Sequence, residues 1–146
     1  RWLPTAADQA AAHQRLATYF HARPLGPRVV AELPWQLQRA EAWDALADVL
    51  TRPDLLAAAY RADLPGVRAA WTAVEGGSDR RMTEAYADVV ADPGAHPDLA
   101  WEIARLLTDA GHPTEALTLH HHLVARARAE GDQRRLAGAL GNLGAA

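Results

Sequence analysis

The chain has 146 residues, of which 49% are hydrophobic and 23% charged, and its formal net charge is −3. This composition is typical of a folded domain, argues against a disordered chain, and gives no general electrostatic attraction to nucleic acid or anionic membranes. All 15 basic side chains are arginine and there is no cysteine, which excludes a lysine nucleophile, a P-loop lysine, a disulfide and a thiolate zinc site in this segment.

Apolar residues recur at helical spacing along the first half of the chain, without the strict alternation that marks a strand. Five helices are predicted there: residues 6–22, one that starts after the Pro24, Gly26 and Pro27 break and carries apolar residues up to Ala40, residues 41–51, one that opens at 53 and one that opens at 63. Pro34 lies inside the second pattern, so that helix either kinks there or restarts with Pro34 in its first turn. Thr51 is predicted to cap the fourth helix, with Pro53 in its first turn, and Asp63 with Pro65 opens the fifth.

The clearest internal boundary is the loop Gly76-Gly77-Ser78-Asp79, where Ser78 or Asp79 is expected to cap a sixth helix. The stripe of that helix consists of Met82, Ala85, Tyr86, Val89 and Val90. The loop separates a helical segment, residues 1–75, from a second segment, residues 79–146. Short connections favour antiparallel packing of neighbouring helices, so we interpret the segments as two halves of one helical array.

The second segment contains a helix–turn–helix pattern that begins to repeat. Residues 99–127 form two apolar stripes around Gly111, with the small residues Ala104 and Ala116 where the helices would touch, and Gly144 takes the place of Ala104 40 residues later. One hairpin cannot bury its stripe alone, so such units stack. We therefore predict an all-α fold, an α-solenoid of stacked antiparallel helical hairpins, with its last repeat incomplete at residue 146.

These hairpins resemble tetratricopeptide repeats in the longer spacing seen in nephrocystin-like proteins. The matching positions are Ala104, Gly111, Ala116, Leu123, Leu140, Asn142, Leu143 and Gly144. Two positions depart from the repeat pattern, because His120 stands where an aromatic residue is usual and Trp101 is shifted by one from the large residue of the first helix. The resemblance implies a helical-repeat fold that binds protein or peptide ligands in a concave groove.

The N-terminal half is similar to the segment that follows the NTPase core and winged helix in nephrocystin-like and bacterial STAND signalling ATPases. The matching positions are Leu16, Ala17, Tyr19, Phe20, Glu32, Leu33, Pro34, Trp35, Leu37, Trp43, Leu46 and Leu50. Gln36 and Glu41 replace a histidine and a glycine of that pattern. The resemblance implies an NTPase domain upstream in the same chain.

Several side chains could bind a metal or take part in catalysis, but their spacing in the sequence does not favour either role. His120, His121 and His122 are consecutive and fan out around a helix, and no two histidines are four residues apart as in a helical zinc pair. Asp44 and Asp48 share a helix face and could pass for a catalytic or magnesium pair, but a solvated face is the better interpretation. We expect no catalytic residue, metal or cofactor.

The aromatic residues divide into expected core anchors and one candidate for the surface. Most of Trp2, Trp35, Trp43 and Trp71 are expected in the core, since they lie on or beside apolar stripes. Trp101 is offset from its stripe and is the aromatic residue to consider for an exposed groove. The candidate partner-binding residues are Trp101, Arg105, His112 and His121.

The sequence thus favours a noncatalytic sensor arm and protein-binding scaffold of a STAND-type ATPase. The expected partners are a protein or peptide in the concave groove and the upstream NTPase, with no nucleic acid and no membrane; the expected location is the cytoplasm. A free-standing tetratricopeptide adaptor is one alternative. An enzyme or metal-binding helical domain that uses the histidines and carboxylates is the other.

Overall fold

The computed structural model describes residues 5–145 of the chain, so the expectation for Trp2 lies outside the described residues. The helices are α1 (Ala6–His21), α2 (Pro27–Arg39), α3 (Trp43–Leu50), α4 (Pro53–Gly77), α5 (Met82–Ala85), α6 (Ala87–Ala91), α7 (Ala100–Ala110), α8 (Pro113–Glu130) and α9 (Gln133–Ala145), with a 3-10 turn at Pro93–Ala95. No strand occurs between residues 5 and 145, which confirms the all-α prediction. The chain forms two compact units, the first ending at Met82 and the second beginning at Thr83.

In the first unit, α1 packs on α2, and α2, α3 and α4 pack on one another. The largest fully buried side chains of its core are Leu33, Leu46, Leu50, Leu55, Leu56, Trp71 and Met82. At the start of α1, the Asp8 N–H donates to the Thr5 hydroxyl, and the Thr5 N–H donates to the Asp8 carboxylate. This reciprocal cap satisfies backbone donors that the first turn of a helix leaves free.

The second helix begins at Pro27, where the sequence placed its start, and continues through Pro34, so it does not restart there. Two other predicted helix ends in this unit were wrong. Glu41 has a left-handed backbone (φ 54°), which delays the start of α3 to Trp43. The Thr51 hydroxyl donates to the Asp48 carbonyl at 2.8 Å, so Thr51 closes α3 and does not cap α4.

The opening predicted at Asp63 corresponds to a kink inside α4. Asp63 leaves the helical conformation (φ −158°, ψ 78°), and its Oδ1 accepts the Gly66 N–H at 3.0 Å. A Cβ at Gly66 would collide with that carboxylate. The second half of α4 therefore starts with an Asp cap, and a side chain at position 66 would require the Asp63 carboxylate to shift.

The glycine pair before Ser78 ends α4 and does not introduce the next helix. A Cβ at Gly77 would collide with the indole of Trp43, so the glycine permits a close approach of α3 and α4. The Ser78 hydroxyl donates to the Val74 carbonyl at 2.8 Å. The first N–H of α5, at Met82, donates to the Glu75 carboxylate, so the expected cap at Ser78 or Asp79 was wrong.

The predicted sixth helix is two short helices, because Tyr86 interrupts it with φ −107° and ψ 11°. In the second unit, α7 packs on α8 and α8 on α9. Gly111 (φ 84°) and Gly131 (φ 67°) end α7 and α8 in the left-handed conformation that glycine adopts without a steric cost. Ala104 and Ala116 have no exposed surface, as a close crossing of α7 and α8 requires.

Candidate functional site

The structure groups two of the four candidate partner-binding residues. Trp101 and Arg105 lie one turn apart on α7, and both are exposed. His112 lies in the turn before α8, half-buried, and His121 is exposed about 13 Å further along that helix, nine residues at 1.5 Å each. Trp101 and Arg105 are therefore one surface pair, and the two histidines are not grouped with each other.

The indole of Trp101 reaches from α7 to α9. A Cβ placed on Gly138 would lie 3.3 Å from Cη2 of Trp101, so the far edge of the ring packs over the bare glycine backbone. The Trp101 side chain remains 37% exposed. One edge of the ring is thus supported by α9, and only part of the side chain faces solvent.

Arg105 is held along the surface of α7. Its Nε lies 3.2 Å from Oδ2 of Asp109, one turn later, and both side chains are partly exposed. An exposed pair at this spacing contributes about 0.3–0.5 kcal/mol, so it orients the guanidinium more than it stabilises the helix. Within the described residues the two Nη groups make no further bond, which leaves their donors to solvent or a ligand.

His120, which sequence reasoning treated as packing or surface, is a buried polar group between α7 and α8. Its side chain is 1% exposed, and its Nε2 lies 3.0 Å from the Thr108 hydroxyl. Since that hydroxyl donates its hydrogen to the Ala104 carbonyl at 2.8 Å, the ring nitrogen is the donor of the pair. Nδ1 is buried and has no partner in the described residues. Burial, with a smaller contribution from the neighbouring His121, lowers the pKa of His120.

We expect the stability of the protein to fall as the pH drops below about 6.5, the ordinary pKa of histidine. The folded state keeps His120 neutral because its pKa is lowered. The unfolded chain takes up a proton at higher pH, so the stabilisation is present above the unfolded pKa and lost below it. Urea denaturation at several pH values, followed by circular dichroism, measures this dependence.

The matched variants are His120→Leu and His121→Gln, since His120 is buried and His121 exposed. His120→Leu should flatten the decrease between pH 7 and pH 5, and His121→Gln should retain most of it. If the free energy of unfolding decreases equally with falling pH in wild type and in His120→Leu, this explanation is wrong.

Two glycines of α9, Gly138 and Gly141, differ in the space around an added Cβ, which gives a second prediction. Gly141 has nothing within 4 Å of an added Cβ, so Gly141→Ala should raise the free energy of unfolding by about 0.5–1 kcal/mol through helix propensity. Gly138→Ala should gain clearly less, because its Cβ would press on Trp101 at 3.3 Å. Urea denaturation measures both changes. Equal gains would show that Trp101 does not rest on α9.

The remaining histidines and carboxylates that the structure describes do not assemble into a metal site. Among residues 5–145, no group of three or more histidines and carboxylates is placed to hold an ion. Asp48, half of the acidic pair noted in the sequence, lies 2.6 Å from an Nη of Arg80. This exposed ion pair joins α3 to the loop after α4.

Sequence reasoning missed a groove in the first unit. It has a volume of about 760 Å³, runs between α2 and α4, and is bordered by Trp35, which is 50% exposed although a core position was expected for most tryptophans. The floor on α4 is rich in alanine and includes Ala58, Ala62 and Ala69. The run of small residues on both halves of α4 was the one signal in the sequence that could have indicated it.

The sequence matches no family model, no curated protein and no solved structure. Between residues 5 and 145, none of the helices combines the length and the apolar character that a membrane span requires.

Proposed function

We propose that the protein is a noncatalytic helical-repeat scaffold that binds an extended peptide or a partner helix on the surface around Trp101 and Arg105. The observation that carries the proposal is the placement of Trp101, whose exposed ring rests on Gly138 of α9. An aromatic ring held in place while partly exposed can bury apolar area against a ligand at little entropic cost.

The order of the helices supports a repeat of the tetratricopeptide kind. α7 and α8 form a hairpin closed at Gly111, and Gly131 closes α8 before α9 begins the next pair. In stacked hairpins, the first helices of successive pairs line the same surface, which is where such proteins bind ligands. The Trp101 ring extends from α7 to Gly138 of α9, so in the proposed repeat it belongs to that surface.

Arg105 supplies the polar part of the proposed site. It stands one turn from Trp101 with two unbonded Nη groups, a geometry that suits a carboxylate of the ligand. The parent protein that we propose is a cytoplasmic STAND-type ATPase, on the resemblance of residues 16–50. Ligand binding would act on the upstream NTPase only by favouring one arrangement of the arm over another.

The test is a selection of 12-residue peptides from a displayed random library on the whole chain. The affinity of the enriched peptides is then measured by fluorescence anisotropy for wild type, Trp101→Ala and Leu117→Ala. Leu117 is a matched control because it is 36% exposed, against 37% for Trp101, and lies on α8.

We expect Trp101→Ala to weaken binding at least about tenfold and Leu117→Ala to change it little. A few residues of an interface usually contribute most of the binding energy, and we expect Trp101 to be one of them. Peptides that bind wild type and Trp101→Ala equally would contradict the proposed function.

A further inference from the structure

We propose that the groove between α2 and α4 is a second docking site, which receives the apolar face of an amphipathic helix flanked by acidic residues. This site belongs to the first unit and does not depend on the surface around Trp101.

Small side chains create the groove. The surface of α4 that faces it carries Ala58, Ala62, Gly66 and Ala69, so the space beside α2 stays empty. The opposite wall carries Trp35, whose edge contacts His13 with the ring centroids 5.3 Å apart. A floor of small residues beside a fixed aromatic wall is a surface into which large apolar side chains can insert.

The dimensions fit one face of a helix. The groove follows α2 from Pro27 to Gln38, 12 residues or about 18 Å at 1.5 Å per residue. An open groove of this length, with a volume of about 760 Å³, can take one row of side chains from a helix that lies across it and is about 10 Å wide. The matching ligand therefore carries large apolar residues at positions i, i+4, i+7 and i+11.

The walls stay open to water, which favours a helix over a small molecule. Trp35 is 50% exposed, Leu25 is 39% exposed, and Ala62 and Ala69 are also exposed. A small molecule in this open groove would keep much of its surface exposed to solvent. Typical small-molecule sites bury most of the ligand's surface. A helix lying across the opening would cover both walls at once.

Charged residues around the groove indicate which residues should lie beside the apolar face of the ligand helix. Arg61 lines the groove, and the guanidinium of Arg39 lies 5.8 Å from the ring centroid of Trp35. Neither arginine forms an ion pair within residues 5–145. Asp63 also lines the groove and keeps its negative charge while its Oδ1 accepts the Gly66 N–H. Arg61 at the groove and Arg39 beside Trp35 outnumber this carboxylate, and carboxylates on the ligand complement them.

The test uses a displayed library of amphipathic helices with fixed leucines on one face and flanking positions drawn from Glu, Gln and Lys. Selection is done on the whole chain with counter-selection on Ala62→Phe, which fills the groove from an exposed position. The enriched helices are then measured by fluorescence anisotropy against Arg61→Glu. Matched controls on α8 are Ala129→Phe and Arg128→Glu, both at exposed positions.

We expect enriched helices to carry Glu on their flanks and to lose at least about tenfold in affinity for Ala62→Phe and for Arg61→Glu, while the α8 controls bind as wild type does. The inference is overturned by an absence of enrichment, by helices with neutral or Lys flanks, or by equal binding to Ala62→Phe. Sedimentation that shows a dimer in wild type and a monomer in Ala62→Phe would assign the groove to a second copy and would also overturn it.

Discussion

Trp71→Ala should lower the free energy of unfolding by about 3–5 kcal/mol, the range for removing a large aromatic side chain from a core. Trp71 has no exposed surface and lies on α4, where it is among the largest fully buried side chains of the first unit. A domain is stable by only about 5–15 kcal/mol, so this change should remove much of the stability. Urea denaturation followed by circular dichroism measures it.

Trp35→Ala is the matched control, because the same side chain is removed from a position that is 50% exposed. We expect it to cost well under half of the Trp71→Ala effect, since less apolar surface returns to water. Similar losses for the two variants would mean that Trp35 is buried in solution, which would contradict the open groove between α2 and α4.

Ala116→Leu should lower the free energy of unfolding by about 1–3 kcal/mol, as overpacking of a filled core does. Ala116 on α8 has no exposed surface, and neither does Ala104 on the facing helix α7. The added methyl groups therefore have to push the two helices apart. Ala129→Leu, at an exposed position of α8, is the control and should change stability little. An unchanged urea midpoint for Ala116→Leu would show that the helices do not meet there.

The hairpin of the second unit could be predicted from the sequence because its signals are local. Gly111 and Gly131 each end a helix in a conformation that glycine adopts most easily, and both helices carry a regular apolar stripe. The helix ends of the first unit were harder. Thr51 has the chemistry of an N-cap, but its hydroxyl donates to the preceding helix, a choice that propensity alone does not decide.

The spacing of apolar residues in the sequence also could not show which aromatic side chains are buried. Trp35 and Trp71 both lie on or beside apolar stripes, yet Trp35 is 50% exposed and Trp71 is fully buried. The difference depends on which helix packs over each stripe, and that partner is distant in sequence. The partial exposure of Trp101 was easier to predict, because this residue is offset from the apolar stripe of α7. That its ring binds a partner stays a prediction.

The most direct test of the proposed function is a two-dimensional ¹H–¹⁵N titration of the protein with a peptide selected on it, observed at the tryptophan indole N–H signals. The account predicts that the Trp101 signal shifts with the largest amplitude, and that the signal of Trp71, buried in the first unit, stays in place. A saturating peptide that leaves the Trp101 signal unmoved would contradict the claim that this surface is the binding site.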